Sequence, residues 1–373
     1  MDLVGFDAAA FLRDDWQKRP RLIRGAWAAW ANPLAPDELA GLACEDGVSA
    51  RIVEQGRRPK VSHGPFKVKR FAKLGDKPWT LLVDAVDRVV PAVAALLPPF
   101  AFVPNWRIDD VMVSYAVDGG GVGPHFDRYD VFLIQGLGRR RWRIGGPCDA
   151  ATARLPHDDL NLLADFVPVD EFVLDPGDML YLPPGIAHDG VAVGDDCMTY
   201  SIGFRAPARS ELIAHWCDHL LATLDDDDRY VDADMAVQAN PGEIGALAID
   251  RLHELVVAGL ADRAAFARWF GAYTTAPADA DPPLDYAVTS LPALAGRSVI
   301  RSLASRVSFI RRGPGEVVLF VDGATFDCTG EAAAFAEALA GSRCVSLDQW
   351  AQSVPAHALL TTLIAAGSVS LGK

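Results

Sequence analysis

Gly119-Gly-Gly-Val-Gly-Pro-His-Phe-Asp-Arg-Tyr-Asp130 places His125 and Asp127 two residues apart, and His188 follows a Pro-Pro-Gly turn 61 positions after Asp127. On a β-strand, side chains at i and i+2 leave the same face, so a strand through this stretch offers His125 and Asp127 to one ion while Phe126 points away. Two imidazoles and one carboxylate on one face of an octahedral metal leave positions open for a cosubstrate and dioxygen, the arrangement of non-haem Fe(II) oxygenases. The same ligand types also hold zinc.

Working outward, Glu171-Phe-Val-Leu-Asp-Pro-Gly-Asp-Met-Leu-Tyr-Leu-Pro-Pro-Gly-Ile-Ala-His188 sets a Pro-Gly-Asp turn, a short apolar strand and a second tight turn before the distal histidine. Such turns separate short antiparallel strands and put His188 at a strand start on a barrel rim. Between the two ligand segments, Tyr129 to Gln135 reads as a strand, Gly136-Leu-Gly138 as a hairpin turn and Arg139 to Ile144 as the returning strand. In that strand Arg140 shares a face with Trp142 and Ile144, whereas Arg139, Arg141 and Arg143 share the other. The apolar face goes inward and carries Arg140 with it. A buried guanidinium needs an anionic partner, and its planar fork suits the distal carboxylate of a dicarboxylic acid such as 2-oxoglutarate. An ion pair with a protein carboxylate is the ordinary alternative.

Two more segments point to a polar interior. Cys197-Met-Thr-Tyr-Ser-Ile-Gly203 alternates small residues (Cys197, Thr199, Ser201, Gly203) with bulky ones, and Asp109-Asp-Val-Met-Val-Ser-Tyr115 puts Asp110, Met112 and Ser114 on one side. Ser114, Thr199 and Ser201 are therefore hydroxyl candidates for a cosubstrate, although each also suits an ordinary strand position.

These motifs, with Phe11-Leu-Arg-Asp-Asp-Trp-Gln-Lys-Arg-Pro20, Val61-Ser-His-Gly-Pro-Phe66, Trp106-Arg-Ile-Asp-Asp110 and Tyr200-Ser-Ile-Gly-Phe-Arg-Ala-Pro207, resemble the bacterial ribosomal oxygenase family of JmjC-type cupin enzymes. The resemblance covers the first 207 residues well and the remainder in outline. It implies an α+β fold, a double-stranded β-helix (jelly-roll or cupin, JmjC type) with a helical dimerisation block, and the outline of the C-terminal part, helices with a small hairpin, resembles a winged helix. It further implies that His125, Asp127 and His188 ligate Fe(II) and that Arg140 binds 2-oxoglutarate. The implied reaction couples decarboxylation of 2-oxoglutarate to hydroxylation of an arginine side chain of ribosomal protein L16. A pocket for arginine needs an acceptor for guanidinium and a flat face. Asp110 and Tyr129 are the candidates, with Met112 beside them. The ordinary readings are, for Asp110, a strand-end carboxylate paired with Arg107 or left in water and, for Tyr129, a core aromatic.

At 373 residues, half of them hydrophobic, the chain has material for a large core and two or three domains. No segment has the apolar length of a membrane span, and Met1-Asp-Leu-Val lacks a basic leader, so a cytoplasmic protein is expected. Six cysteines without Cys-x-x-Cys spacing argue against a zinc cluster or a disulfide framework. A net charge of −14 argues against general nucleic-acid binding and suits a basic partner.

Three blocks are expected: a JmjC/cupin catalytic domain over 1–207, a helical dimerisation region over 208–273, and a winged-helix-like domain over 284–373. The first opens with helical stretches at Pro36 to Ala43 and Trp79 to Leu97. Leu212, Trp216, Leu220 and Leu224 form an apolar helical stripe, a second helical stretch spans Glu243 to Leu260, and Trp269-Phe270 complete the block. Its width suits a homodimer partner, as the family implies. Thr274 to Pro283 reads as a linker, followed by a strand pair around Arg311-Arg-Gly-Pro-Gly315 and helices near Glu331 to Ala340 and Ala356 to Ala366. That last segment has no lysine or arginine, so no direct nucleic-acid contact is expected. This weighs against the rival reading, a non-catalytic cupin metabolite sensor. An oxygenase acting on another protein residue or on a small molecule is the other alternative.

Overall fold

Two long strands, Asp130–Pro147 and Ile186–Phe204, run antiparallel side by side for their whole lengths and organise the first part of the chain. The computed structural model describes residues 3–75, 77–225, 227–277 and 294–372. These fall into two compact units, Met1–Ala206 and Pro207–Lys373. Nine strands build the first: β1 (Arg21–Ile23), β2 (Ala50–Glu54), β3 (Lys60–His63), β4 (Trp79–Val83), β5 (Ile108–Ala116), β6 (Asp130–Pro147), β7 (Asp170–Leu174), β8 (Met179–Leu182) and β9 (Ile186–Phe204). Their order is β1-β8-β6-β9-β5-β4-β2-β3, with β7 on β6. Helices α1 (Ala8–Asp14), α2 (Pro36–Leu42) and α3 (Pro91–Ala94) flank them.

The expected hairpin at Gly136-Leu-Gly138 is not formed. The chain continues as one strand, β6, whose register against β9 shifts between Gln135 and Leu137 and again between Leu137 and Arg139. The glycines serve a bend, not a reversal. Gly138 has φ +60°, and a Cβ on Gly136 would lie 2.4 Å from the Tyr200 ring and 2.8 Å from Asn32 Oδ1. β9 bends at the same level, where Gly194 and Asp196 have φ of +79° and +56°. Before the bend β6 pairs with β8, and after it with β7, so the same two strands serve both sheets of a jelly roll. Trp79–Val83 likewise departs from the helical expectation. It is strand β4, held between β2 and β5, because a short apolar run takes either form and here two strand edges are waiting.

Alternation along β6 and β9 separates two cores. Phe132, Ile134, Tyr200, Ile202 and Phe204 point outward and pack with Phe11, Phe100, Val111 and Val113. Full burial of such side chains contributes roughly 1.5–3 kcal/mol each. Val131 and Leu133 point inward and cluster with Trp142, Ile144, Leu174, Leu180 and Leu182. Asp130, fully buried, accepts bonds from Tyr181 Oη at 2.6 Å and from Gln17 Nε2 and Arg107 Nη2 at 2.9 Å. That carboxylate ties the N-terminal segment to the start of β6 and leaves Arg107 unavailable to Asp110.

In the second unit, α4 (Arg209–Leu221), α5 (Ala246–Leu260) and α6 (Arg263–Thr275) precede a C-terminal portion. Thr274 and Thr275, expected to begin a linker, are buried at the end of α6, and 278–283 lie outside the described residues, as do 284–293. The strand pair around Arg311 to Gly315 is β11 (Val307–Gly313) and β12 (Glu316–Val321). It continues into β13 (Ala324–Thr329), while β10 (Ser298–Arg301) sits between β14 (Cys344–Ser346) and β15 (Val369–Gly372). Helices α7 (Glu331–Gly341) and α8 (Val354–Ala365) cover one core with these sheets. Strands are therefore more numerous here than a single hairpin. No helix among the described residues is long and apolar enough to cross a membrane.

The crowding at the bend yields a test. Gly136→Ala lowers stability by about 1–3 kcal/mol, read from the urea midpoint. Gly146→Ala, where nothing lies within 4 Å of the added carbon, leaves the midpoint nearly unchanged.

Candidate metal centre

Ligand atoms of His125, Asp127 and His188 all lie within 4.8 Å of one another, although only His188 belongs to a strand. Sequence reading put His125 and Asp127 on a strand; they stand instead in the irregular segment before β6, laid along the first half of β9. His125 N donates to His188 O at 3.0 Å and His188 N to His125 O at 2.8 Å, while Gly185 N donates to Asp127 O at 2.7 Å. Glycines permit this approach: a Cβ on Gly121 would lie 2.4 Å from Gly190 O. Phe126 turns away into a separate cluster with Leu163 and Ala187.

Both imidazoles are oriented by backbone. His125 Nδ1 lies 2.8 Å from Gly123 O and His188 Nδ1 2.9 Å from Ile186 O. With the proton on Nδ1, each Nε2 presents a lone pair toward Asp127, whose Oδ2 is 4.0 Å from His125 Nε2 and 3.6 Å from His188 Nε2. Burial first, and His125 beside it second, hold the His188 imidazole well below its ordinary titration range. His188 is thus neutral at pH 7, the form that ligates. Cis ligands at about 2.1 Å from a metal sit about 3 Å apart, so modest closure of this trio accommodates a divalent ion.

Trp142 links the trio to Arg140. The Trp142 ring is 5.9 Å from that of His188, and Arg140 Cζ is 5.7 Å from the Trp142 ring. Arg140 is 4% exposed. Its Nη1 reaches Gly190 O at 3.3 Å, but Nε and Nη2 have no partner among the described residues, and no carboxylate pairs with it. A buried guanidinium with two unmet donors calls for an anion. The ordinary alternative, a structural ion pair, belongs to the other face, where Arg143 pairs with Asp189.

The small-residue face of β9 lines the same interior. Thr199 stands opposite Ser114 and Gln135, Ser201 opposite Met112 and Leu133, and Gly203 opposite Val131. Thr199 Oγ1 donates to Gln135 Oε1 at 3.2 Å, so its hydroxyl has a structural partner. Gln135, a polar residue within an apolar run, is the member of this row that sequence reading passed over. A Cβ at Gly203 would lie 3.8 Å from Asp110 Oδ1 and 4.0 Å from the Tyr129 ring, which brings those two candidates together over an empty side-chain position. Asp110 Oδ2 accepts from Ala85 N at 2.8 Å. Burial, and then the neighbouring Asp109, push its carboxyl up to about 6. Tyr129 exposes part of its ring, but its hydroxyl end is shielded. That shielding, then the nearby Asp127 and Asp110 carboxylates, raise its pKa. Arg51, also missed, places Nη2 3.9 Å from Met112 Sδ.

A family model described as the JmjC domain matches residues 95–212. The chain is 43% identical to the ribosomal protein uL16 3-hydroxylase of Escherichia coli (strain K12) over 264 residues, 70% of each protein. The X-ray structure of E. coli ycfD is similar with a TM-score of 0.89 at 34% identity, covering 100% of both chains. The structure of YcfD, a ribosomal oxygenase from E. coli, in complex with cobalt and 2-oxoglutarate is similar with a TM-score of 0.86 at 34% identity, covering 100% of this chain and 99% of that one.

Raising the Asp110 carboxyl has a thermodynamic sign. Between its unfolded value and about 6 the folded state binds the extra proton, so the wild type loses stability as pH climbs through that window and loses no more above it. Asp110→Asn keeps an acceptor for Ala85 N without the charge. Its melting temperature is expected to exceed that of the wild type above pH 6, with the gap closing as pH falls toward 4.

Proposed function

As a member of the JmjC-domain ribosomal oxygenase family, the chain belongs among protein hydroxylases, and we propose that it is an Fe(II)- and 2-oxoglutarate-dependent enzyme that hydroxylates an arginine side chain of ribosomal protein L16. The supporting observation is a pair of features on one interior: three converging ligand atoms and a buried guanidinium with unmet donors. The donor set of two neutral imidazoles and a carboxylate fits Fe(II). When bound, the metal with 2-oxoglutarate and dioxygen supplies the oxidising power, yielding succinate, carbon dioxide and a hydroxylated carbon.

This chain's residues do the rest. His125, Asp127 and His188 hold the ion. Arg140 receives the distal carboxylate of 2-oxoglutarate, and Trp142 closes the space between it and His188. Ser114 and Ser201 offer hydroxyls to the same ligand, with Thr199 held on Gln135. Asp110 and the Tyr129 hydroxyl accept from the substrate guanidinium while the Tyr129 ring and Met112 flank its aliphatic part. The oriented target carbon then stays near the metal, where positioning supplies much of the rate.

The helical region adds a second part. None of the residues of α5 is buried: Leu247, Ile249, Leu252, Val256, Val257 and Leu260 are all exposed, and Ile213 and Leu221 of α4 join them. Exposed apolar residues in this number mark an interface, and a second copy of the chain is the partner proposed. The C-terminal winged-helix-like portion is read as a protein-contact module.

Coupled succinate release and a mass gain of one oxygen on an arginine peptide of isolated L16 test the reaction, starting from anaerobic Fe(II) loading. Succinate without peptide oxidation would discard the substrate and keep the oxygenase. Asp127→Ala is expected to abolish turnover, and full activity would defeat the ligand assignment. Arg140→Ala raises KM for 2-oxoglutarate at least about tenfold, the scale of a lost charged hydrogen bond. For assembly, light scattering on a dilution series should give twice the chain mass, falling to one in Val256→Asp; a wild-type monomer throughout would sink the dimer.

A further inference from the structure

Lysine is scarce here. Of seven lysines in 373 residues, five, Lys60, Lys67, Lys69, Lys73 and Lys77, fall in one short stretch that also holds Arg57, Arg58 and Arg70 and a single acidic residue, Asp76. The chain as a whole carries −14, so this stretch is a local reversal of sign. Arg57, Arg58 and Lys60 stand at the tip of the β2–β3 hairpin; Lys67, Lys69 and Lys73 stand on the 3-10 turn Val68–Lys73 and its cap. An Arg70–Glu54 ion pair ties that turn to β2, and Phe66 and Leu74, both buried, anchor its ends. The six are exposed and, among the described residues, none makes an ion pair or side-chain hydrogen bond. The acidic Asp158-Asp159 segment borders the strip, Asp159 pairing with His63, and leaves the six cations themselves unpaired.

We propose that this strip, Arg57 to Lys73, binds the phosphate backbone of RNA. Flexible, unpaired lysines suit a repeating phosphate chain, which needs charge and reach in place of fixed geometry. The choice of RNA over an acidic protein rests on the ribosomal-protein reading above, since such a substrate is encountered with RNA and is itself too basic to sit on the strip. β2 supplies continuity with the pocket: its Arg51 end touches Met112, and its Glu54 end, about 10 Å further at 3.3 Å per residue, leads into the Arg57 tip. The acidic remainder repels a polyanion, so binding is confined to this face and orients it.

Anisotropy of a labelled 20-nucleotide single-stranded RNA with the full-length, Fe(II)-loaded protein tests the idea between about 50 and 200 mM salt. A log–log slope of about −2 to −4 is expected, at about 0.7 per phosphate for three to five contacts. Lys67→Glu/Lys69→Glu/Lys73→Glu weakens binding at least tenfold, and Arg57→Ala/Arg58→Ala severalfold, with the melting temperature and the turnover of a short arginine peptide unchanged. No binding at the lower salt, or undiminished binding by both variants, overturns the proposal. So does displacement by poly-glutamate at equal charge, which would mean a surface for any polyanion. RNA binding in a protein that fails to oxidise L16 leaves the strip standing and removes only the substrate reading.

Discussion

The reciprocal backbone bridge between His125 and His188 is the constraint on which the centre depends. Two N–H···O bonds fix the irregular ligand segment to a strand from the far side of the sequence, and Gly185 adds a third at Asp127. Each such bond nets only about 1 kcal/mol, but together they set where the ligand side chains start. The Nδ1 contacts to Gly123 and Ile186 then set where they point. Ligand placement is thus a property of main chain, which is less free to relax than side chains are.

A second constraint is the division of labour between the faces of β6 and β9. Tyr200, Ile202, Phe204, Phe132 and Ile134 fill a large outer core, so the inner face is relieved of supplying most of the stability. It holds Gln135, Thr199, Ser201, Ser114 and Arg140, a set of buried polar groups that no small hydrophobic core would tolerate alone. The bend at Gly136 and Gly138 keeps both halves of β6 facing that interior.

Much of this was legible in the chain. The alternation from Cys197 to Gly203 assigned faces correctly, and Arg140 stands on the Trp142–Ile144 face as its parity implied. The convergence of His125, Asp127 and His188 was legible from residue types, but its cause was not, because the pair is held by distant Gly185 and His188 and not by a strand of its own. Gly136-Leu-Gly138 carried turn chemistry, yet Gly136 answers to Tyr200 and Asn32 and Gly138 to Asp196 and Cys197, all far away in sequence. Trp79 to Val83 was ambiguous locally and was decided by its strand partners. Arg51 beside Met112 had no local signal at all, and the same holds for the meeting of Asp110 and Tyr129 over Gly203.

Arg140 also couples anion binding to the stability of the fold. Holding a guanidinium out of water is costly unless an anion meets it, and a dianion bound there offsets that cost only in the native state. Occupancy then stabilises the fold by RT ln(1 + [L]/Kd), about 2.7 kcal/mol at a hundredfold excess over Kd. Binding at Arg140 is thereby coupled to folding: a carboxylate that fills this interior shifts the unfolding equilibrium of the whole unit as well as its own occupancy.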